Sequence, residues 1–256
     1  MADALNFLQC GASSELALSG ARVSVRVTSQ HLPANLMPPS PYGLKGGAAR
    51  EALTAALSVR PIREPRDLDI IRRGHFPIAT DDAIAKQYMP RDYTHGARVE
   101  LVRDFTRYLT TRDITINEVG IFDTALTSSL LAALDTVGYV IRPSHYRGGS
   151  IHRAPSLDGR TLLKMVRLFA EAEIHNEPAI LVGIPEEISF SEFDLALQLN
   201  KAFQRGTPVA QKFVDTLLLL GALDASHTPL PKLLEELEHL RHGERGLFPD
   251  VPEELF

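Results

Sequence analysis

A single cysteine, Cys10, is all that the 256-residue chain contains. Neither a disulfide framework nor a cysteine-based zinc site can form within such a chain, and a reducing cytoplasm is the expected setting. Long hydrophobic runs are also missing. The longest apolar stretch, near residues 213–223, contains Asp215 and is too short to cross a bilayer. Since the first residues show no basic segment followed by a long apolar one, no secretory signal is expected. We therefore predict a cytoplasmic protein with no membrane partner.

The charge and composition favour a folded protein that is unevenly acidic. Hydrophobic residues make up 44% of the chain, which is enough for a packed core. The net charge is −5 at pH 7. Residues 161–256 carry twice as many acidic as basic side chains, whereas residues 45–160 are slightly basic. On net charge alone, a polyanionic partner would be favoured by the middle of the chain and repelled by its end.

The hydrophobic periodicity predicts two domains with different architectures. Strands are indicated around residues 21–28, 66–71, 96–105, 114–123 and 138–144. Helices are indicated around residues 48–59, 126–136, 161–173, 191–205, 209–220 and 230–241. The fold class is thus α+β, with a mixed-sheet domain over residues 1–155 and a small helical domain over residues 156–256. Residues 1–40 form an N-terminal extension of the first domain.

Two carboxylates lie two residues apart on a predicted strand. Asp67 and Asp69 point to the same face of that strand, while Leu68 and Ile70 point to the other face and into the core. Paired carboxylates repel each other unless a cation lies between them, and their oxygens suit Mg²⁺. The alternative is a solvated edge strand, because this spacing is common. Glu100, on a neighbouring predicted strand, is either a third ligand of a two-metal site or a surface residue.

A pair of glycines marks a candidate phosphate loop. Gly46 and Gly47 fall between a short predicted strand and a predicted helix whose apolar face is Ala49, Ala52, Leu53, Ala56 and Leu57. Without a Cβ atom, glycine lets a phosphate approach the backbone N–H groups at a helix N-terminus. The alternative is a simple turn. Arg50, one turn into the helix, either points back towards the phosphates or forms a surface ion pair.

These segments occur in an order that resembles a known family. LKGGAAREAL followed by PRDLDII resembles the G-G-x-x-R-[DE]-x-L and D-[LI]-D motifs of class II CCA-adding tRNA nucleotidyltransferases and bacterial poly(A) polymerases. RVELVRDF, LTTRDITINEVGI and SLDGRTLLKMVRLFAEAE resemble three further motifs of that family, in the same order. The resemblance covers residues 42–173. The LKGGAA segment is also similar to toxin-type nucleotidyltransferases.

The resemblance implies a polymerase beta-like nucleotidyltransferase fold and a set of site residues. It implies that Asp67, Asp69 and Glu100 hold two Mg²⁺ ions, and that Gly46, Gly47 and Arg50 bind the triphosphate. The other implied nucleotide-binding residues are Arg112, Asp113, Asn117 and Arg167.

The implied reaction is transfer of NMP from an NTP, with ATP as the first expectation, to an RNA or tRNA 3′ end. Two alternatives stay open. One is a toxin- or defence-type enzyme that modifies a tRNA, a protein or a small molecule, and the other is a nucleotide-binding regulatory module without activity. The E-D-x-x-R helix that reads bases in CCA-adding enzymes does not occur after Arg167.

Overall fold

The computed structural model describes residues 16–63, 65, 68–74, 78–88, 99–144, 158–185 and 187–223. The chain divides into two compact units. Among the described residues, the first unit contains those up to Val140 together with Ser144, and the second contains Ile141–Pro143 and the residues from Asp158 onward. None of the helices within these ranges is both long enough and apolar enough to span a membrane.

A seven-stranded mixed sheet forms the first unit. Its strands are β1 (Leu16–Ser19), β2 (Arg22–Arg26), β3 (Tyr42–Lys45), β4 (Asp69–Arg72), β5 (Glu100–Leu101), β6 (Val119–Phe122) and β7 (Ala125–Ser129). They lie in the order β1-β2-β7-β6-β3-β4-β5. The β4 and β5 strands are parallel, and all other neighbours are antiparallel. A mixed sheet followed by helices confirms the predicted α+β class.

Two helices cover one face of this sheet. The helices of the unit are α1 (Gly46–Ala56), α2 (Ile78–Tyr88), α3 (Phe105–Thr110) and α4 (Leu130–Val137), and short 3-10 turns lie at Ala34–Leu36 and Thr115–Asn117. α1 and α4 pack with the sheet around one hydrophobic core. The predicted apolar face of α1 is confirmed, because Ala49, Ala52, Leu53, Ala56 and Leu57 are all buried. This packing fixes where α1 begins, at the end of β3.

The opposite face of the sheet carries a smaller core. Its buried members are Ile71, Val102, Tyr108, Leu109 and Phe122, with Phe105 packed against them. Helix α3 supplies three of these side chains and begins after Asp104, whose carboxylate accepts hydrogen bonds from the Thr106 and Arg107 N–H groups. This core supports the polar residues described below.

Three predicted elements differ from the structure. The strand predicted over residues 114–123 is limited to Val119–Phe122, because residues Thr115–Asn117 form a 3-10 turn. The strand predicted over residues 96–105 is limited to Glu100–Leu101 in the described part of the chain, since Asp104 caps a helix there. The helix predicted over residues 126–136 begins only at Leu130. Leu126 and Ser128 instead pair with Val25 and Val23 of β2, which makes that segment a strand.

The second unit is built on three helices: α5 (Gly159–Ile174), α6 (Glu192–Phe203) and α7 (Thr207–Leu219). They pack around a core that includes Leu162, Leu199 and Phe213. Asp158 and Ser191 cap α5 and α6 through the Thr161 and Asp194 N–H groups. A two-stranded sheet joins β8 (Val140–Ile141) to β9 (Ile180–Leu181). The helix predicted over residues 230–241 lies outside the described residues.

Candidate functional site

The start of helix α1 lies directly against an aspartate of the neighbouring strand. Gly46 has φ +61°, and a Cβ atom added there would lie 2.2 Å from Oδ2 of Asp69. Only glycine meets both conditions without strain. The space beside Gly47 is open, with no described atom within 4 Å of a Cβ added there. Among the described residues no side chain caps the first turn of α1. The predicted glycine pair thus brings backbone N–H groups next to a carboxylate.

Asp69 is the member of the predicted carboxylate pair that the structure describes. It is exposed, whereas its neighbours Leu68 and Ile70 are buried, as the alternation of a strand predicts. Within the described part of the chain, the Asp69 carboxylate has no hydrogen-bond or ion-pair partner. Asp67 lies outside the described residues, so its predicted role as a metal ligand stays a prediction.

Lys45, Asp69 and Glu100 share one face of the sheet, which we call the site face. Lys45 pairs in register with Asp69 across the antiparallel β3–β4 ladder, and Glu100 pairs with Ile71 across the parallel β4–β5 ladder. Paired residues point to the same side of a sheet, as do residues two apart on a strand. The fold therefore brings Glu100 near Asp69, although 31 positions separate them in the numbering.

Glu100 is held by two cations. Lys45 Nζ forms an ion pair with Oε2 of Glu100, and Arg112 Nη2 lies 3.3 Å from Oε1. Burial by itself would raise the pKa of Glu100, but the hydrogen bonds and charges of Lys45 and Arg112 outweigh it and lower that pKa below its ordinary value. Glu100 is therefore a carboxylate whose two oxygens already have partners.

Tyr108 lies beneath this cluster. The Arg112 guanidinium stacks 3.9 Å from the centre of the Tyr108 ring, and Arg112 Nε donates to the Tyr108 carbonyl at 3.1 Å. These contacts hold Arg112 more firmly than the ion pair alone would. Burial raises the pKa of the Tyr108 hydroxyl.

A second group of predicted residues forms a hydrogen-bonded chain. Arg50 Nη1 donates to Oδ1 of Asn117 at 2.9 Å, and Asn117 Nδ2 donates to Oδ1 of Asp113 at 3.0 Å. The same Asp113 oxygen accepts from the Ile114 N–H at 2.9 Å. Asn117 is buried, and the chain ties α1 to the 3-10 turn at Thr115–Asn117. The structure thus brings together Arg50, Asp113 and Asn117.

Buried polar pairs anchor this 3-10 turn from below. The Thr115 hydroxyl donates to Asp135 of α4, and the Ser144 hydroxyl donates to Glu118. Both carboxylates are buried. A buried carboxylate without hydrogen bonds lowers the stability of the fold. These pairs therefore fix the turn that carries Asn117, to which Asp113 is hydrogen-bonded.

Arg167 occupies a different setting from the other predicted residues. It belongs to α5 in the helical unit and is only 7% exposed. Its Nε donates to Oε1 of Gln198 on α6 at 3.0 Å, and Nη1 lies 3.6 Å from Glu171. In its own unit Arg167 therefore links two helices, and nucleotide binding by Arg167 stays a prediction.

No group of three or more His, Cys, Asp or Glu side chains that could hold a metal ion occurs among the described residues. Asp69 and Glu100 are the acidic residues of the site face that the structure describes. Their oxygens are of the kind that Mg²⁺ prefers, so the chemistry of the donors fits this ion. Glu100, however, is already paired with two cations, whose positive charges oppose the binding of a metal ion.

Solved structures offer a comparison for about four-fifths of the chain. The chain is similar to CCA-adding enzymes. A structure of the Thermotoga maritima CCA-adding enzyme complexed with tRNA_CCA is 16% identical, with a TM-score of 0.41, and the match covers 79% of this chain and 53% of that one. A CCA-adding enzyme in complex with CTP is 16% identical, with a TM-score of 0.44, and the match covers 83% of this chain and 56% of that one.

An apo CCA-adding enzyme gives a comparable match, at 16% identity and a TM-score of 0.45. The match covers 79% of this chain and 55% of that one. The chain thus spans about half the length of the structures it matches. No protein-family model and no curated protein matches the chain.

Lys45 and Tyr108 are residues of the site that the sequence did not single out. Lys45 directly precedes the glycine pair at the end of β3, which was a usable signal, because alternation along the strand places it opposite the buried Leu44. Tyr108 lies on α3, a helix that the sequence pattern did not predict. Its place under Arg112 depends on the packing of that helix.

Proposed function

We propose that the chain is a Mg²⁺-dependent nucleotidyltransferase. It transfers NMP from an NTP, with ATP as the first candidate, to an acceptor hydroxyl at the 3′ end of an RNA or tRNA. The observation that carries this proposal is the contact between Gly46 and Asp69. The Asp69 carboxylate lies where a Cβ atom of residue 46 would be, at the start of a helix whose first turn is not capped by any described side chain.

The phosphates would lie at the start of α1. The open space beside Gly47 lets an anion approach the backbone, and the N–H groups of the first turn carry partial positive charge. Arg50 is held towards the same end by Asn117. Arg112, Asp113 and Asn117 would bind the ribose or the triphosphate, since the structure holds them in fixed orientations. In this reading Arg167 contacts the nucleotide as well.

Asp69 and Glu100 would hold the metal, together with Asp67. When bound, Mg²⁺ would neutralise the charge that develops on the phosphates and would activate the attacking hydroxyl. The protein's own residues orient the nucleotide and neutralise its charge. Arg112 and Lys45 supply positive charge at the site face, and the Arg50–Asn117–Asp113 chain ties α1 to the Thr115–Asn117 turn. Such pre-set charges contribute to catalysis because they need not reorganise during the reaction.

A nucleotide-binding module without transfer activity is a second candidate. The observation that favours it is the pairing of Glu100 with Lys45 and Arg112, which leaves Asp69 as the unpaired acid among the described residues of the site face. A toxin- or defence-type enzyme would use the same site with another acceptor: a tRNA, a protein or a small molecule.

A labelling experiment separates an RNA acceptor from a protein or small-molecule acceptor and from a module without transfer activity. The protein is incubated with each α-labelled NTP and Mg²⁺, in turn with total RNA, with a protein extract and with a small-molecule extract. We expect label from ATP in RNA. Label in protein or small molecules would instead support the toxin- or defence-type enzyme. Binding of Mg-ATP without label in any pool would support the module, and absence of both would overturn the proposal.

Asp69→Asn provides the site-specific control. We expect this variant to lose at least about a hundredfold in rate while keeping its fold, since it removes a charge at the metal site. Asp123→Asn is the matched variant: Asp123 is an exposed residue in the β6–β7 turn at φ 52°, a conformation that asparagine tolerates. It should keep full activity. Equal rates for the two variants would contradict the placement of the site.

A further inference from the structure

Lys45 lies beside the proposed metal ligands and directly before the proposed phosphate position. It points to the site face beside Asp69, and its ammonium group pairs with Glu100. The side chains of Lys45 and Glu100 are 23% and 35% exposed, so the pair is reached by solvent and can open. The same lysine immediately precedes Gly46 and the first turn of α1. It is therefore next in sequence to the proposed phosphate position at the start of α1.

The charges on the site face limit what Glu100 can do. Each of its oxygens is bound by a different cation, Oε2 by Lys45 and Oε1 by Arg112. A divalent cation that uses Glu100 meets two positive charges already bound there, and the repulsion between these charges favours loss of one of the two contacts. Metal binding and the Lys45–Glu100 ion pair therefore oppose each other.

Lys45 is the partner that can leave. Arg112 is fixed by four contacts with described residues: to Glu100, to the Tyr108 ring, to the Tyr108 carbonyl and to the Thr111 hydroxyl. Among the described residues, the side chain of Lys45 has one partner, the ion-paired Glu100. An ammonium group on a flexible four-carbon stem can also turn to a new partner with little loss, whereas a stacked guanidinium cannot.

We propose that Lys45 exchanges partners when the nucleotide and the metal bind together. Before binding, Lys45 neutralises Glu100. When Mg-NTP enters, Glu100 turns to the metal and Lys45 turns to a phosphate oxygen of the nucleotide. Lys45 is thus a phosphate-binding residue that also keeps the metal site from filling without nucleotide. The inference rests on the proposed function and extends it to a residue that the sequence motifs did not include.

The exchange predicts a coupling between the two ligands. If the metal binds alone, the Lys45–Glu100 ion pair breaks and Lys45 gains no new partner. If the nucleotide binds alone, the same ion pair breaks and Glu100 gains no new partner. Only the two together satisfy both groups. Each ligand should therefore raise the affinity for the other, and by linkage the two factors must be equal.

Lys45→Met tests this coupling, since methionine keeps much of the length of the side chain and removes its charge. Binding of Mn²⁺ alone is followed by the loss of the free-ion electron paramagnetic resonance signal, and binding of ATP with and without Mg²⁺ by calorimetry. The variant should bind Mn²⁺ alone more tightly, by about tenfold, and bind metal-free ATP more weakly. The wild-type gain in ATP affinity on adding Mg²⁺ should shrink in the variant by a similar factor.

The opposite directions of the two shifts separate this result from misfolding, which would weaken both. Lys212→Met is the matched control, because it breaks a lysine–glutamate pair of 3.4 Å between α7 and Glu173 of α5. It should change neither affinity. Unchanged Mn²⁺ affinity in Lys45→Met, or an unchanged coupling factor, would overturn the exchange. If the wild-type protein binds no Mg-ATP at all, the proposed function fails first and the exchange with it.

Discussion

Gly46 and Gly47 are neighbours, but the structure requires glycine only at Gly46. Gly46 has a positive φ and touches the Asp69 carboxylate, so its missing Cβ is a condition of the fold. Gly47 faces open space in the first turn of α1, where no described atom excludes a larger side chain. A need for glycine at Gly47 would come from a ligand. Alanine at each position can separate the two reasons.

Gly46→Ala should lower the free energy of unfolding by about 1–3 kcal/mol, since it combines an unfavourable backbone conformation with a clash. Gly47→Ala should leave stability unchanged or raise it by about 0.5–1 kcal/mol, because alanine favours a helix. It should nevertheless weaken ATP binding, as its methyl group would occupy the phosphate position. Urea unfolding and calorimetry measure the two effects. Full ATP affinity in Gly47→Ala would contradict a phosphate site at the start of α1.

At the scale of single residues, the site residues that could be predicted from the sequence are those that belong to short local motifs. The glycine pair and Asp69 stand in short patterns whose geometry follows from a strand that ends and a helix that begins. Lys45 was not identified, because its partner Glu100 lies 55 positions away and meets it only through the β3–β4–β5 register. The pairing of strands that are distant in sequence is set by the packed fold, which periodicity alone does not report.

Helix α5 carries Arg167, which the sequence motifs assign to the nucleotide. In the structure its guanidinium joins α5 to Gln198 of α6, and Glu171 of the same helix also receives Arg205 at 3.3 Å. A buried arginine in such a cluster stabilises helix packing, and its loss leaves polar partners without hydrogen bonds.

Arg167→Leu should therefore lower the free energy of unfolding by about 1–3 kcal/mol, whatever its effect on the nucleotide. Urea unfolding measures the first effect and calorimetry with Mg-ATP the second. Arg160→Leu, at an exposed position in the first turn of the same helix, is the matched variant and should change stability little. A fully stable Arg167→Leu protein with weakened ATP binding would assign Arg167 to the nucleotide alone.

Helices and strands whose apolar residues repeat regularly could be predicted from the sequence. Those whose structure depends on pairing with a distant strand could not. The apolar face of α1 repeats at helical spacing, and the structure buries it as predicted. The segment from Ala125 to Ser129 has residues that suit either a strand or a helix. It becomes a strand because β2 and β6 lie on either side of it. Helix α3 is only six residues long, too short to give a periodic pattern.

Over the whole molecule, acid should weaken the fold through carboxylates that hold arginine partners. Glu51 of α1 binds both terminal nitrogens of Arg60 at 2.6 Å, just beyond the end of that helix. Burial would raise the pKa of Glu51, but the hydrogen bonds and charge of Arg60 lower it below the ordinary value of 4.5. The pKa of Glu100 is lowered in the same way by Lys45 and Arg112.

The sign of the pH effect follows from these directions. A carboxylate with a lowered pKa in the folded state binds fewer protons there than in the unfolded chain, so stability rises with pH in that range. The contribution of Glu51 is fully present above about pH 5 and is lost as the pH falls through its folded-state pKa. Urea unfolding between pH 7 and pH 3 should show this loss in the wild-type protein.

Glu51→Gln tests which carboxylate is responsible. The variant should be less stable at pH 7, because glutamine cannot replace the charge that faces Arg60, and it should lose less stability than the wild type between pH 5 and pH 3. The two curves should therefore converge in acid. Glu51 does not lie on the site face, so ATP affinity at pH 7 should stay close to that of the wild-type protein if the nucleotide binds beside Asp69. Parallel curves would mean that the acid sensitivity comes from other carboxylates. Glu100→Gln would then be the variant to measure, because among the described residues Glu100 also has its pKa lowered by paired cations.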